Sequence, residues 1–120
     1  AEDKAALLAA GVTGIVSAGI EFEESSFPDD FEYVVIHVSD DEEQASLMRS
    51  SLLKAVDFMQ QHQTVMVHCA AGISRSSTVV IAFLIKVHKL SLLDAFKLVH
   101  KKRFVCWPNN GFMKVLIEWE

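Results

Sequence analysis

The sequence predicts an α/β fold: a mostly parallel central sheet with helices on both faces. Three observations carry that prediction. Three β-rich runs, Val12–Ala18, Tyr33–Val38 and Val65–His68, alternate with segments of helical periodicity. Tyr33-Val34-Val35-Ile36-His37-Val38 is continuous rather than alternating, which suits a strand covered on both faces. Val79-Val80-Ile81-Ala82-Phe83-Leu84-Ile85 is apolar on nearly all sides, so the helix holding it must run through the middle of the domain.

The elements follow in order. Residues 2–10 combine good helix formers with a stripe of Ala5, Leu8 and Ala9, and Gly11 stands where a C-terminal cap belongs. Ile15-Val16 marks the first strand. Residues 21–32 are acidic and polar, with Pro28-Asp29-Asp30 as a turn, and read as a surface loop. After the second strand, Ser39 with Glu42, or Asp40 with Glu43, has capping-box spacing ahead of a helix over about 43–61. The third strand, Val65–His68, leads through a short loop into a helix from about Ser76 to Lys89. Ser91 caps a helix over about 92–103, with Leu92, Ala95, Phe96 and Val99 as its apolar stripe and Lys101-Lys102-Arg103 charging its last turn. Pro108-Asn109-Asn110-Gly111 breaks the chain before a closing helix, Phe112–Trp119.

At 120 residues, 51% hydrophobic and 22% charged, the chain has the size and composition of one domain, which excludes disorder and coiled coil. A net charge of -5 argues against nucleic acid as a partner and requires any anion affinity to come from a local pocket. No run of eighteen apolar residues is present, so no membrane span is expected. Cys69 and Cys106 do not make a disulfide framework, which points to a reducing, intracellular setting, cytoplasmic, nuclear or both. Cys106 reads as a structural thiol. His37, His62, His88 and His100 lack metal-ligand spacing to either cysteine, so no metal is expected.

The run His68-Cys69-Ala70-Ala71-Gly72-Ile73-Ser74-Arg75-Ser76 organises the rest. In parallel sheets ligands collect at the carboxyl ends of strands, and both Cys69 and Asp40 fall just beyond such ends. A helix start leaves N–H groups without internal partners, and these, the helix dipole and the Arg75 guanidinium converge next to the cysteine sulfur. Such an environment turns a thiol into a thiolate. Arg75 offers a planar fork for two phosphate oxygens, which Lys would not reproduce. The backbone of Ala70, Ala71, Gly72, Ile73 and Ser74 would then bind the remaining oxygens, so phosphoryl transfer needs neither metal nor other cofactor. His68 would orient the loop, and Ser76 would hydrogen-bond the sulfur when it leaves. The full pattern should arise by chance on the order of once in 10⁵ cysteines, so an inert core thiol is the weaker reading of Cys69.

This run resembles the signature of the cysteine-dependent protein phosphatases, and Ala-Gly-Ile-Ser-Arg-Ser is similar to their dual-specificity branch. The likeness continues in Ile36-x-Val38-x-Asp40, which resembles the segment carrying that family's general acid, and in Arg103 followed by Pro108-Asn109-x-Gly111-Phe112, which resembles its closing motif. The resemblance spans roughly residues 7–119. It implies a phosphatase-like fold, one catalytic domain over 1–120 without the family's opening strand, Asp40 as general acid with Asp41 as substitute, and Asn109 as a brace for the catalytic region. Arg103 is a candidate second contact for an acidic substrate. The implied substrate is a phosphorylated protein, a kinase among the candidates. Where the family often has Asn, near Ser17-Ala18, this sequence has small residues, so support of the loop from that side is expected to differ. Two rival functions remain at this point: a phosphoprotein-binding module with little turnover, and a phosphatase of a non-protein phosphate ester.

Overall fold

The computed structural model describes residues 4–19, 30–69, 74–102 and 107–120. Among them the order is α1 (Lys4–Ala9), β1 (Gly14–Ala18), β2 (Glu32–Ile36), a 3₁₀ turn (Glu42–Gln44), α2 (Ala45–Gln60), β3 (Val65–His68), α3 (Arg75–Val87), α4 (Leu92–Lys102) and α5 (Asn110–Trp119). The strands form a parallel sheet in the order β2-β1-β3.

Side chains alternate across a strand, so the two faces of this sheet can be read residue by residue. Val16, Val34, Ile36, Val65 and Val67 face α2, α3, α4 and α5 and form the main core with them. Ile15, Tyr33 and Met66 face the other way and join Val12, Phe31 and Leu7 in a smaller cluster beneath α1. Among the described residues helices thus lie on both sides of the sheet: α2 and α3 contact the strands on one face, with α4 and α5 packed on those helices, and Leu7 of α1 reaches the other face. β1 is central and buried throughout.

β2 is covered on both faces as expected, Val34 and Ile36 packing into the main core and Tyr33 into the smaller cluster, but it is not a central strand. It ends at Ile36, lies at the sheet edge, and runs from an exposed Glu32 through half-buried Tyr33, Val34 and Val35. β-branched content reports fitness for a pleated surface and does not separate an edge from a centre. The stripe expected on the first helix is displaced. Leu7 packs inward, whereas Leu8 is 49% exposed. Gly11, at φ 81°, closes α1 as expected: its own N–H donates to the Leu8 carbonyl and the Val12 N–H to the Leu7 carbonyl, a paired cap that aims Leu7 at the sheet.

α3 runs through the middle, touching α2, α4, α5, β1 and β3. Val79, Ile81 and Ala82 are fully inaccessible. Full burial of a Val or Ile side chain contributes roughly 1.5–3 kcal/mol, so this helix is held by packing and its N-terminus is a rigid platform. Ser91 caps α4 through the Asp94 N–H at 3.1 Å. Neither expected capping box forms ahead of α2. Asp41 caps instead, its Oδ1 accepting from the Glu43 N–H at 2.9 Å, because a 3₁₀ turn tightens the first turn and brings the donor two residues on within reach.

No helix among the described residues is long and apolar enough to cross a membrane.

Candidate active site

Cys69 follows directly on the last residue of β3, and α3 opens at Arg75, six positions later. Ser74 is the N-cap of α3 but makes no side-chain cap bond to it. The cysteine sulfur takes that place. The Ser76 N–H donates to Cys69 Sγ at 3.4 Å, and Ser76 Oγ lies 3.3 Å from the same sulfur. An acceptor at a helix N-terminus is stabilised most when it carries negative charge, so this geometry favours thiolate over thiol.

Ser74 has been freed for other work. Its Oγ accepts from the Asn109 N–H at 2.9 Å, and its carbonyl receives Thr78 Oγ1 at 2.7 Å, Ser77 Oγ at 3.0 Å and the Thr78 N–H at 3.0 Å. The end of the loop is thereby bound to the helix behind it and to the segment before α5. Arg75 is 7% exposed, and its Nη1 donates to the Val38 carbonyl at 3.2 Å, which ties the helix start to the strand exit leading to Asp40.

Asp40 and Asp41 stand apart in their partners. Asp41 caps the 3₁₀ turn, whereas Asp40 Oδ1 accepts from Asn109 Nδ2 at 2.9 Å. Asn109 also caps α5, its Oδ1 accepting from the Phe112 N–H at 2.8 Å. One asparagine therefore joins Asp40, Ser74 and α5. That junction depends on Gly111, where a Cβ would fall 2.5 Å from the Glu42 carbonyl oxygen. Only a residue without a Cβ lets α5 approach the 3₁₀ turn so closely.

Of the residues singled out from the sequence, Cys69, Ser74, Arg75, Ser76, Asp40 and Asn109 are joined by this network. His68 enters it from the strand side: its Nε2 is 2.7 Å from Ser17 Oγ on the neighbouring strand. The sequence departure near Ser17-Ala18 is thus filled by a hydroxyl. Ala70, Ala71, Gly72 and Ile73 lie outside the described residues, as do Arg103 and Cys106. The sequence marked the position of Ser17 but not its partner, and the roles of Ser77 and Thr78 were not foreseen. The two helix residues carried a local signal, hydroxyls three and four positions after Ser74, within reach of its carbonyl. For Ser17 the resemblance marked the position as one that supports the loop, but its partner His68 depends on which strand lies next to which.

An apolar cavity of about 530 Å³ lies between β3, α3 and α4, lined by Val67, Ser76, Val80, Leu84, Leu98 and Val99 among others. The lining also includes Ser77 and Lys102 but is mostly apolar, whereas Cys69 and Arg75 stand where β3 gives way to the start of α3. Among the described residues no three His, Cys, Asp or Glu side chains could hold a metal ion.

Three comparisons bear on this arrangement. The family described as "Dual specificity phosphatase, catalytic domain" matches residues 4–120. Human dual specificity protein phosphatase 14 is 38% identical over 122 residues, covering 100% of this chain and 61% of that protein. The putative tyrosine phosphatase 123R of invertebrate iridescent virus 6 is 42% identical over 89 residues, covering 71% of this chain and 63% of that protein. The chain thus spans about three fifths of the length of these curated relatives. Among solved structures, human DUSP28 superimposes with a TM-score of 0.83 at 27% identity, covering 98% of this chain and 80% of the other. The human tyrosine phosphatase-like serine/threonine/tyrosine-interacting protein does so at 0.81 and 30%, covering 97% and 81%.

Proposed function

The chain belongs to the dual specificity phosphatase family, and from that premise we propose that residues 1–120 form one catalytic domain that hydrolyses phosphotyrosine and phosphoserine or phosphothreonine in proteins. The observation that carries this reading is the Cys69 sulfur held against the first turn of α3 by the Ser76 N–H and hydroxyl, with the buried Arg75 beside it.

In the first step the Cys69 thiolate attacks phosphorus, forming an S–P bond as the P–O bond to the protein side chain breaks. Asp40 gives its proton to the departing oxygen. Arg75 binds two of the equatorial oxygens, and the backbone of residues 70–74 binds the rest. In the second step the ionised Asp40 takes a proton from water, the resulting nucleophile attacks phosphocysteine, and inorganic phosphate departs. The Ser76 hydroxyl hydrogen-bonds the sulfur as negative charge returns to it. Support for Asp40 over Asp41 is that Asp41 spends its carboxylate on a cap, while Asp40 is held by Asn109, which also holds Ser74. No metal or organic cofactor enters these steps. A kinase is a candidate substrate, and an intracellular location, cytoplasmic or nuclear, goes with such a role.

A second reading is a module that binds phosphoprotein with little turnover, which the name of the structurally similar human serine/threonine/tyrosine-interacting protein suggests. The concurrence of Cys69, Arg75 and Asp40 favours turnover. Release of inorganic phosphate from an aryl phosphate and from phosphopeptides decides the matter. Cys69→Ser should lower the rate by more than about 10⁴-fold; an unchanged rate would sink the mechanism, and absence of release by the unaltered chain would favour the binding module.

A further inference from the structure

β1 and β3 run parallel in a register that sets Ser17 opposite His68. Ser17 is 5% exposed, and the β2 residue opposite it is the apolar Val35. Its Oγ lies 2.7 Å from His68 Nε2, and among the described residues that nitrogen is its one polar partner. Burying a hydroxyl hydrogen without an acceptor is unfavourable. Among the described residues, the arrangement that gives this hydrogen an acceptor has the hydroxyl donating to an unprotonated Nε2.

We propose that Ser17 is a positioning residue for the reaction above: by donating to Nε2 it holds His68 as the neutral imidazole with its hydrogen on Nδ1. The inference rests on the phosphatase reading for its link to turnover, and on the strand register for its chemistry. Which ring nitrogen of a histidine carries the proton is set by the bond the other one makes. With Nε2 accepting, Nδ1, the nitrogen nearer the main chain, becomes the donor, at the residue immediately before Cys69. The ring is thereby fixed in orientation where the strand becomes the loop. A neutral His68 also leaves the charge on the sulfur to be balanced by the α3 N-terminus, Ser76 and Arg75, so the histidine shapes the loop and does not serve as its cation.

Nitrogen-15 spectra of the His68 ring in the unaltered chain should show Nδ1 protonated and Nε2 unprotonated. In Ser17→Ala that pattern should give way to a mixture of tautomers. For hydrolysis of an aryl phosphate, kcat should fall about three- to tenfold with KM within about twofold, the scale of losing a bond that orients a group next to the reacting atom. Ser17→Thr, which keeps the hydroxyl, should restore both the spectrum and kcat. Thermal melting of each variant separates a lost orientation from a lost fold. Protonated Nε2 in the unaltered chain overturns the proposal, as does a Ser17→Ala variant with unchanged tautomer and kcat, or a fall in kcat that Ser17→Thr does not recover. If the spectra behave as expected but the unaltered chain releases no phosphate, the phosphatase reading fails, and with it the positioning role, while the Ser17–His68 bond stands.

Discussion

The two ends of the sheet each pair a histidine with a hydroxyl, for different purposes. At the carboxyl end His68 meets Ser17 at 2.7 Å across β3 and β1, and at the amino end His62 Nδ1 meets Thr13 Oγ1 at 2.8 Å, joining the entries to the same two strands. His62 is backed by Phe58, ring centroids 4.7 Å apart, and Glu32 Oε1 approaches its Nε2 to 3.2 Å without hydrogen-bond geometry. It is a clasp over the strand starts, at the opposite end of the sheet from Cys69. His68 instead precedes a sulfur aimed at a helix N-terminus. A histidine bonded to a hydroxyl is therefore not a signature of function; what lies one residue further along the chain makes the difference.

That contrast can be broken most severely at the carboxyl end. Arg75→Lys should reduce phosphate release by about 10³-fold, because one ammonium cannot replace a two-pronged donor at the transition state. Fold stability should change far less than activity, as read by thermal melting. Asp40→Asn should cost about 10²-fold in kcat/KM and remove the basic limb of the pH profile, since the acid must be protonated to serve the leaving group. Asp41→Asn should leave that limb in place; a larger effect there would move the general acid by one residue.

At the amino end the expected sign is reversed, with stability affected and chemistry spared. His62→Ala should lower unfolding free energy by about 1–3 kcal/mol, from lost packing and the lost bond to Thr13, while kcat stays within about twofold. A large loss of activity at full stability would abolish the distinction between the two histidines. The smallest effect is expected at Lys89, just past the far end of α3, where φ is 60° and the Leu90 N–H reaches back to the Leu84 carbonyl. Replacing Lys89 with Gly should stabilise the fold by about 0.5–1 kcal/mol, measured by denaturant titration, because glycine adopts that conformation without a Cβ penalty.

Much of the architecture was legible before any coordinates. The three strands, the central placement of α3, the caps at Gly11 and Ser91, and the succession from strand through Cys69 to Arg75 and the helix are all local patterns. Where the reading faltered, neighbours decided. Leu8 had the right spacing, but the cap at Gly11 turned Leu7 inward instead. Ser39 and Asp40 had capping-box spacing, but the 3₁₀ turn took Asp41 as its cap and left Asp40 to Asn109, sixty-nine positions away. β2 has the composition of a covered strand and is covered on both faces, but its place at the edge of the described sheet is set by how the connections cross.

By itself, then, the sequence determined the alternation of strands and helices and the chemistry-bearing loop, since each depends on residues within a few positions of one another. Tertiary structure alone decided that β1 lies between β2 and β3, that Ser17 meets His68, that Gly111 lets α5 approach the acid segment, and that Asn109 joins Asp40 to Ser74. Those are contacts between segments 18 to 69 positions apart, and periodicity cannot encode them. They come from the register and packing that bury the common core.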